Sequence, residues 1–233
     1  MQQEADSARR KRPVALITGG GRGLGAAIAR ELAPGHRLLL GARTAAGLES
    51  ILAELPDATG WPVELTDYDA VAAAVRPIER LDVLVHNAGI ADLGTIAESS
   101  VRQWRETLEA NLIAVAELTR LLLPALRAAN GHVVLINSGA GLRAHAGWAS
   151  YAAGKFGLRA FGDALRLEEP ALRVTSIHPG RIDTDMQRAI VAGEGRAYDP
   201  NQFLRPETVA RTIRTAIETP GDAHPTEIVL RPR

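Results

Sequence analysis

The 233-residue sequence contains no cysteine, which removes disulfides, thiolate nucleophiles and cysteine-ligated zinc from consideration together. Its six histidines stand at positions 36, 86, 132, 145, 178 and 224, with neither HxxxH nor HExxH spacing, so no metal site is expected. Excess charge of either sign is missing too: 27 basic residues balance 27 acidic ones. A neutral chain offers no electrostatic reason to expect nucleic acid or an anionic membrane as partner. No apolar run reaches the roughly 18 residues a membrane span needs. Residues 1–12 are polar and lack the apolar stretch of a secretory signal, so they read as a flexible tail on a soluble, cytoplasmic protein. Lysine is nearly absent: Lys11 and Lys155 are the two among 27 basic residues.

What is present is an alternation of short apolar runs and longer helical patterns. Strands are expected at 14–18, 37–40, 61–65, 83–85, 132–137, 174–177 and 227–230. Several are unbroken Val/Ile/Leu runs, as strands buried on both faces of a parallel sheet require. Helices are expected at 23–33, 45–54, 67–75, 101–129, 149–168 and 206–218, with Asp67 and Pro206 suited to helix starts. The alternation predicts an α/β fold: a Rossmann-like, doubly wound parallel sheet of about seven strands with helices on both faces. No linker or repeat interrupts it, so residues 13–233 read as one domain. The least regular stretch, 181–204, carries Gly193, Gly195 and Pro200 and reads as a candidate mobile flap.

The first strand runs directly into Thr18-Gly-Gly-Gly-Arg-Gly-Leu-Gly25, after which a helix begins. Glycines allow the tight turn and the close approach of backbone to a pyrophosphate, and the helix N-terminus supplies free N–H donors. Gly19, Gly23 and Gly25 form a TGxxxGxG arrangement with Thr18, Arg22 and Leu24 between them. The second strand ends at Gly41-Ala42-Arg43-Thr44, where NAD-binding chains usually place a carboxylate for the ribose hydroxyls. That acid is missing, and Arg22 and Arg43 supply cations instead. An Arg–phosphate contact contributes about 1.5–3 kcal/mol, so the pattern predicts NADP(H) over NAD(H).

Tyr151 and Lys155 are four residues apart in a helical pattern, hence on one face. A phenol with a reference pKa near 10 is a poor acid at neutrality. An ammonium about 5 Å away, at an effective dielectric of about 20, favours phenolate by about 3 kcal/mol. Lysine at 155 in so arginine-rich a chain is chemically pointed, because a compact ammonium is not interchangeable with guanidinium. Ser138 closes the preceding strand, at the carboxyl end of the sheet where open α/β folds bind ligands, and can hydrogen-bond a substrate oxygen. Asn111 is a polar amide within an apolar helical stretch, either a packing residue or an anchor for water.

These residues resemble the short-chain dehydrogenase/reductase family in its compact single-domain branch, over about residues 13–230. Thr18–Gly25 is similar to its cofactor glycine motif. His86-Asn-Ala-Gly89 resembles its Asn-Asn-Ala-Gly segment, with His86, expected to be structural, in place of the first Asn. Asn111, Ser138, Tyr151 and Lys155 match its catalytic tetrad, and Pro179-Gly180 with Ile182 and Thr184 its nicotinamide-holding segment. The resemblance implies Tyr151 as general acid/base, Ser138 polarising the substrate oxygen, Lys155 binding the nicotinamide ribose and lowering the phenol pKa, and Asn111 supporting a relay water. It further implies Glu64 and Leu65 beside adenine and Asn87, Ala88 and Gly89 along the cofactor. It also implies a homodimer or homotetramer joined through helices 101–129 and 149–168. The expected activity is hydride transfer between NADP(H) and a small carbonyl or alcohol substrate. The alternative is a catalytically idle dinucleotide sensor or scaffold. The substrate pocket is expected from residues 90–93, 142–148 and 181–204.

Overall fold

The computed structural model describes residues 12–233. Seven strands form one wholly parallel sheet in the order β3-β2-β1-β4-β5-β6-β7. In chain order the elements are β1 (Val14–Ile17), α1 (Gly23–Leu32), β2 (Arg37–Ala42), α2 (Glu49–Glu54), β3 (Thr59–Pro62), α3 (Tyr68–Val75) and β4 (Val83–His86). There follow α4 (Val101–Leu108), α5 (Ala114–Arg127), β5 (His132–Ile136), α6 (Ala149–Glu168), β6 (Arg173–Pro179), α7 (Asp185–Gly193), α8 (Pro206–Glu218) and β7 (Glu227–Leu230). The strand order reverses between β1 and β4, and the crevice beyond their carboxyl ends is where such sheets take ligands.

The two-residue period of a strand sorts β1 between two cores. Ala15 and Ile17 face one cluster with Ile28 of α1 and Val209 and Ile213 of α8. Val14 and Leu16 face the other, with Val71 of α3, Leu118 and Leu122 of α5, and Leu158 of α6. All four β1 residues are therefore buried, which is why the strand is apolar throughout. Each fully buried Leu or Ile contributes about 1.5–3 kcal/mol, so two layers of them hold the helices on both faces.

Three elements depart from the sequence expectation. β3 pairs with β2 from Thr59 to Pro62 rather than over 61–65, because edge pairing follows the backbone register Leu39↔Thr59 and not side-chain polarity. The single helix expected over 101–129 is two helices joined by a π turn at Glu109–Ile113. An inserted residue of that kind barely changes the apolar period, so sequence pattern does not reveal it. The stretch 181–204 holds the nine-residue helix α7, and its ends are tied by Asp183 N–H to Leu204 O and Leu204 N–H to Arg181 O, both 2.9 Å.

Of the expected tail, residues 1–11 lie outside the described residues. Arg12 donates through its guanidinium to the carbonyls of Ala33 and His36, the latter at 2.7 Å, and so anchors to the loop after α1. Among the described residues no helix is long and apolar enough to cross a membrane.

Candidate active site

The glycine turn is shaped by close contacts that no side chain survives. Gly19 and Gly23 have φ of +64° and +54°. A Cβ on Gly25 would stand 2.0 Å from Gly19 O, and one on Gly21 2.0 Å from Gly47 O. α1 opens with no side-chain cap and no acidic residue in its first turn, so its leading N–H groups remain available to an anion. Asn87 holds the turn from beneath. Its amide donates to Thr18 O at 2.9 Å and Gly19 O at 3.1 Å, while Thr18 Oγ1 accepts from the N–H groups of Asn87 and Ala88, each at 3.0 Å.

Lys155 Nζ donates to Ile136 O at 2.8 Å and lies 5.7 Å from the centroid of the Tyr151 ring. Asn137 ties α6 to the end of β5: its Nδ2 donates to Lys155 O at 3.0 Å and its Oδ1 accepts from Ser138 N–H at 2.8 Å. Ser138 stands near enough to the Tyr151 phenol to draw its pKa down, and Trp148 packs edge-on against the Tyr151 ring at 5.8 Å. Asn111, buried on the π turn, binds both backbone groups of Ile90: Oδ1 accepts from its N–H and Nδ2 donates to its carbonyl, each at 2.9 Å. Both ends of the amide are thereby used to fix the loop carrying Gly89.

The electrostatics correct one expectation. Burial pushes the Tyr151 phenol above its ordinary value, and the Ser138 hydrogen bond opposes that push without cancelling it. Lys155, whose charge was expected to pull the phenol down, is itself pushed down to about 8 by burial. Taking a charge out of water outweighs the pairing considered from sequence.

These residues converge on one cleft of about 1780 Å³ at the carboxyl edge of the sheet. That exceeds the ~300–1,000 Å³ of an ordinary small-molecule pocket and suits an extended cofactor with a substrate beside it. Thr18, Gly19, Arg22, Gly23 and Leu24 line it at the glycine turn, and Arg43, Thr44, Glu64 and Leu65 at the end beyond β2. Asn87, Ala88 and Gly89 form its floor with Asn111; Ser138, Tyr151 and Lys155 stand across from Pro179, Gly180, Ile182 and Thr184. Of the expected cofactor and catalytic residues Gly25 alone is outside the lining, because it packs behind the turn against Gly19. Arg43 has no side-chain hydrogen bond or ion pair among the described residues. Arg22 instead pairs with Asp185 at 3.2 Å, an exposed bridge from the glycine turn to α7. Such exposed pairs are worth ~0–1 kcal/mol and yield readily to a stronger anion.

His86 is buried, bonds Thr119 Oγ1 through Nε2 at 2.8 Å, and is pushed down to about 3 by burial, so it is a neutral packing residue. Sequence reasoning missed Asn137, whose clamp requires knowing that α6 crosses the end of β5. It also missed His178, which meets Ser138 O at 3.2 Å from β6, and Arg231, which follows β7 and donates to His178 O at 3.1 Å. No local pattern marks either; each reaches the site through strand adjacency.

Fold and cleft together define a doubly wound α/β protein of the dinucleotide-binding kind. The family model described as short chain dehydrogenase matches residues 13–195. An uncharacterised short-chain type dehydrogenase/reductase of Sinorhizobium fredii is 34% identical over 232 residues, covering 94% of this chain and 91% of that one. The trans-4-hydroxycyclohexanecarboxylate dehydrogenase of Sinomonas cyclohexanicum is 38% identical over 200 residues, 78% of this chain and 77% of the relative. Among solved structures, an alcohol dehydrogenase of Thermococcus sibiricus complexed with 5-hydroxy-NADP superposes with a TM-score of 0.86. It is 28% identical, with 95% of this chain and 97% of that chain covered. The chain belongs to the short-chain dehydrogenase/reductase family, a family of oxidoreductases.

Proposed function

We propose that this protein is an NADP(H)-dependent carbonyl reductase, reversible to alcohol oxidation, with Tyr151 as proton donor, Ser138 as holder of the substrate oxygen and Lys155 as their support. The observation that carries the reading is the convergence of the Tyr151 phenol, the Ser138 hydroxyl and a buried lysine in a cleft that also takes in the glycine turn. The residues fit the cofactor. The uncapped start of α1 and the positive-φ turn at Gly19 and Gly23 accept a pyrophosphate, and Arg43, with no acid at Gly41 or Ala42, accepts a 2′-phosphate. Thr184, whose methyl would lie 3.4 Å from a Cβ on Gly23, closes the turn against the β6 side, where Gly180 and Ile182 would hold the nicotinamide.

When bound, NADPH supplies the hydride that turns the carbonyl carbon into a carbinol carbon and is left as NADP⁺. Ser138 donates to the carbonyl oxygen and resists charge building there. Tyr151 gives that oxygen its proton; because burial raises the phenol, it is fully protonated at neutral pH and ready to donate in the direction of reduction. A proton from water restores it. Lys155 binds the adjacent ribose while its bond to Ile136 O fixes it beside the ring. Asn111 holds the Ile90 loop through both ends of its amide rather than reacting. Exposed Ile113 and Phe156, on the π turn and α6, support a homo-oligomer formed through these helices.

The deciding measurement is NADPH oxidation across a panel of aldehydes and ketones. Turnover that needs Tyr151 supports the reading. Tight NADPH binding with no oxidation of any panel member would make the chain a dinucleotide sensor instead.

A further inference from the structure

The charges lining the cleft are unevenly spent. Its five acidic side chains are all engaged: Glu64 by Thr66, Glu106 by Arg102, Glu109 by Tyr68, Asp185 by Arg22, and Glu194 by Arg181 and Arg196. Among the cations, Arg22 and Arg181 are spent on those acids. Three arginines lining the cleft have no carboxylate partner among the described residues: Arg43, Arg143 and Arg231. Arg43 stands at the end beyond β2 and belongs to the cofactor phosphate. The other two stand at the opposite end and have no such duty.

Arg231 packs beside the residue next to Ser138, its Nη1 3.3 Å from where a Cβ on Gly139 would be. Arg143 is one turn on from Gly139, its backbone N–H donating to Gly139 O at 3.0 Å, and its exposed side chain lines the cleft. Arg231 donates through Nη1 to the carbonyls of His178 and Leu230, at 3.1 and 3.0 Å, which fixes the guanidinium without neutralising it. The cleft also has an apolar lining, from Ile90 and Trp148 and from Met186 and Ile190 of α7. Within the same cleft Gln187, 4% exposed, presents a buried Nε2 with no acceptor. The substrate end therefore offers unspent donors and positive charge around an apolar frame. An uncharged ketone would leave those donors unused, whereas a carboxylate takes a guanidinium fork in two parallel bonds.

Building on the reductase reading, we infer that the substrate is a carboxylate-bearing ketone or hydroxy acid, its carboxylate held by Arg143 with Arg231 behind it and its reacting oxygen at Ser138. The cleft then pairs one anion with each end, the cofactor phosphate at Arg43 and the substrate carboxylate at Arg143. The balance of the reaction is unchanged: the carbonyl is reduced, NADPH is oxidised, and the carboxylate is a handle only.

The test uses full-length protein loaded with NADPH and three probes, benzoylformate, levulinate and 4-oxocyclohexanecarboxylate, each beside its methyl ester. At least one acid should exceed its ester in kcat/KM by about tenfold or more, chiefly through KM, as one charge-assisted contact implies. Arg143→Gln should collapse that ratio toward one, and Arg143→Lys should retain part of it. Arg231→Gln should lower it less, and thermal unfolding of each variant shows whether the fold survives. Esters equal to or better than their acids in the wild type, or a ratio untouched by Arg143→Gln, would overturn the inference while leaving the reductase intact. If no ketone turns over, calorimetric binding of the same acids and esters to the NADP⁺-loaded protein decides. Acid-selective binding lost in Arg143→Gln supports the carboxylate site, even though the reductase reading fails. No selectivity among the three pairs overturns it.

Discussion

Lys155 reaches from α6 to donate its Nζ to the carbonyl of Ile136, 2.8 Å away on β5. This bond closes a ring of contacts with Asn137, whose amide returns to the carbonyl of Lys155 itself. The helix carrying Tyr151 is thus stitched to the end of the strand leading into Ser138 by two side-chain-to-backbone bonds, one in each direction. The separation of the two hydroxyls is set by that stitching and not by loop chance, and four predictions follow from the geometry around it.

Replacing Tyr151 by Phe keeps the ring that packs on Trp148 and removes the proton. Turnover should fall by about 10²–10⁴-fold, the usual contribution of a positioned acid. NADPH affinity, measured by calorimetry, should change by no more than about fivefold, since one hydroxyl contact is worth about 1 kcal/mol at most here. Full activity in this variant removes Tyr151 from the chemistry.

Arg43 has no side-chain hydrogen bond or ion pair among the described residues, so Arg43→Ala leaves no such partner stranded. Its effect should be confined to the cofactor phosphate: NADPH binding should weaken by about tenfold to a hundredfold, NADH binding little. Equal losses for the two cofactors would reject the assignment.

Gly25→Ala forces a methyl against Gly19 O and Asn87 Nδ2, at ideal distances of 2.0 and 2.7 Å. Backbone on one side and the clamp of the glycine turn on the other cannot yield separately, so the cost should reach about 3 kcal/mol or more. Gly35→Ala, with nothing within 4 Å of its Cβ, should be neutral or slightly stabilising. Urea unfolding of the pair separates close packing from a general dislike of alanine.

Burial holds His86 down to about 3 against an ordinary value of 6.5, and His132 likewise. Lowered in the folded state, each histidine binds its proton more readily in the unfolded chain. The stability this represents is complete above pH 6.5 and drains away as the pH falls toward 3. At about pH 4.5 each site should have cost about 3 kcal/mol. His86→Asn should flatten the acid limb of a pH–stability profile by that amount while leaving neutral stability within about 1 kcal/mol. An unchanged acid limb would mean His86 is not buried neutral.

Sequence alone determined much of this protein, because the determinants were local. The alternation of Val/Ile/Leu runs with helical periods dictated a parallel sheet covered on both faces, since strands such as β1 have no polar side to offer water. The glycine turn and the Tyr151–Lys155 spacing were equally legible, for a positive φ and a shared helix face are properties of a few consecutive residues. Tertiary structure decided what depends on neighbours far apart in the chain. The π turn at Glu109–Ile113 is invisible to periodicity yet lets Asn111 grip Ile90. Arg231 stands behind Gly139 only because β7 lies beside β6. The direction of the Tyr151 shift turned on burial, a quantity no spacing rule contains: a charge near a phenol argues for a stronger acid, but removal from water argues harder for a weaker one.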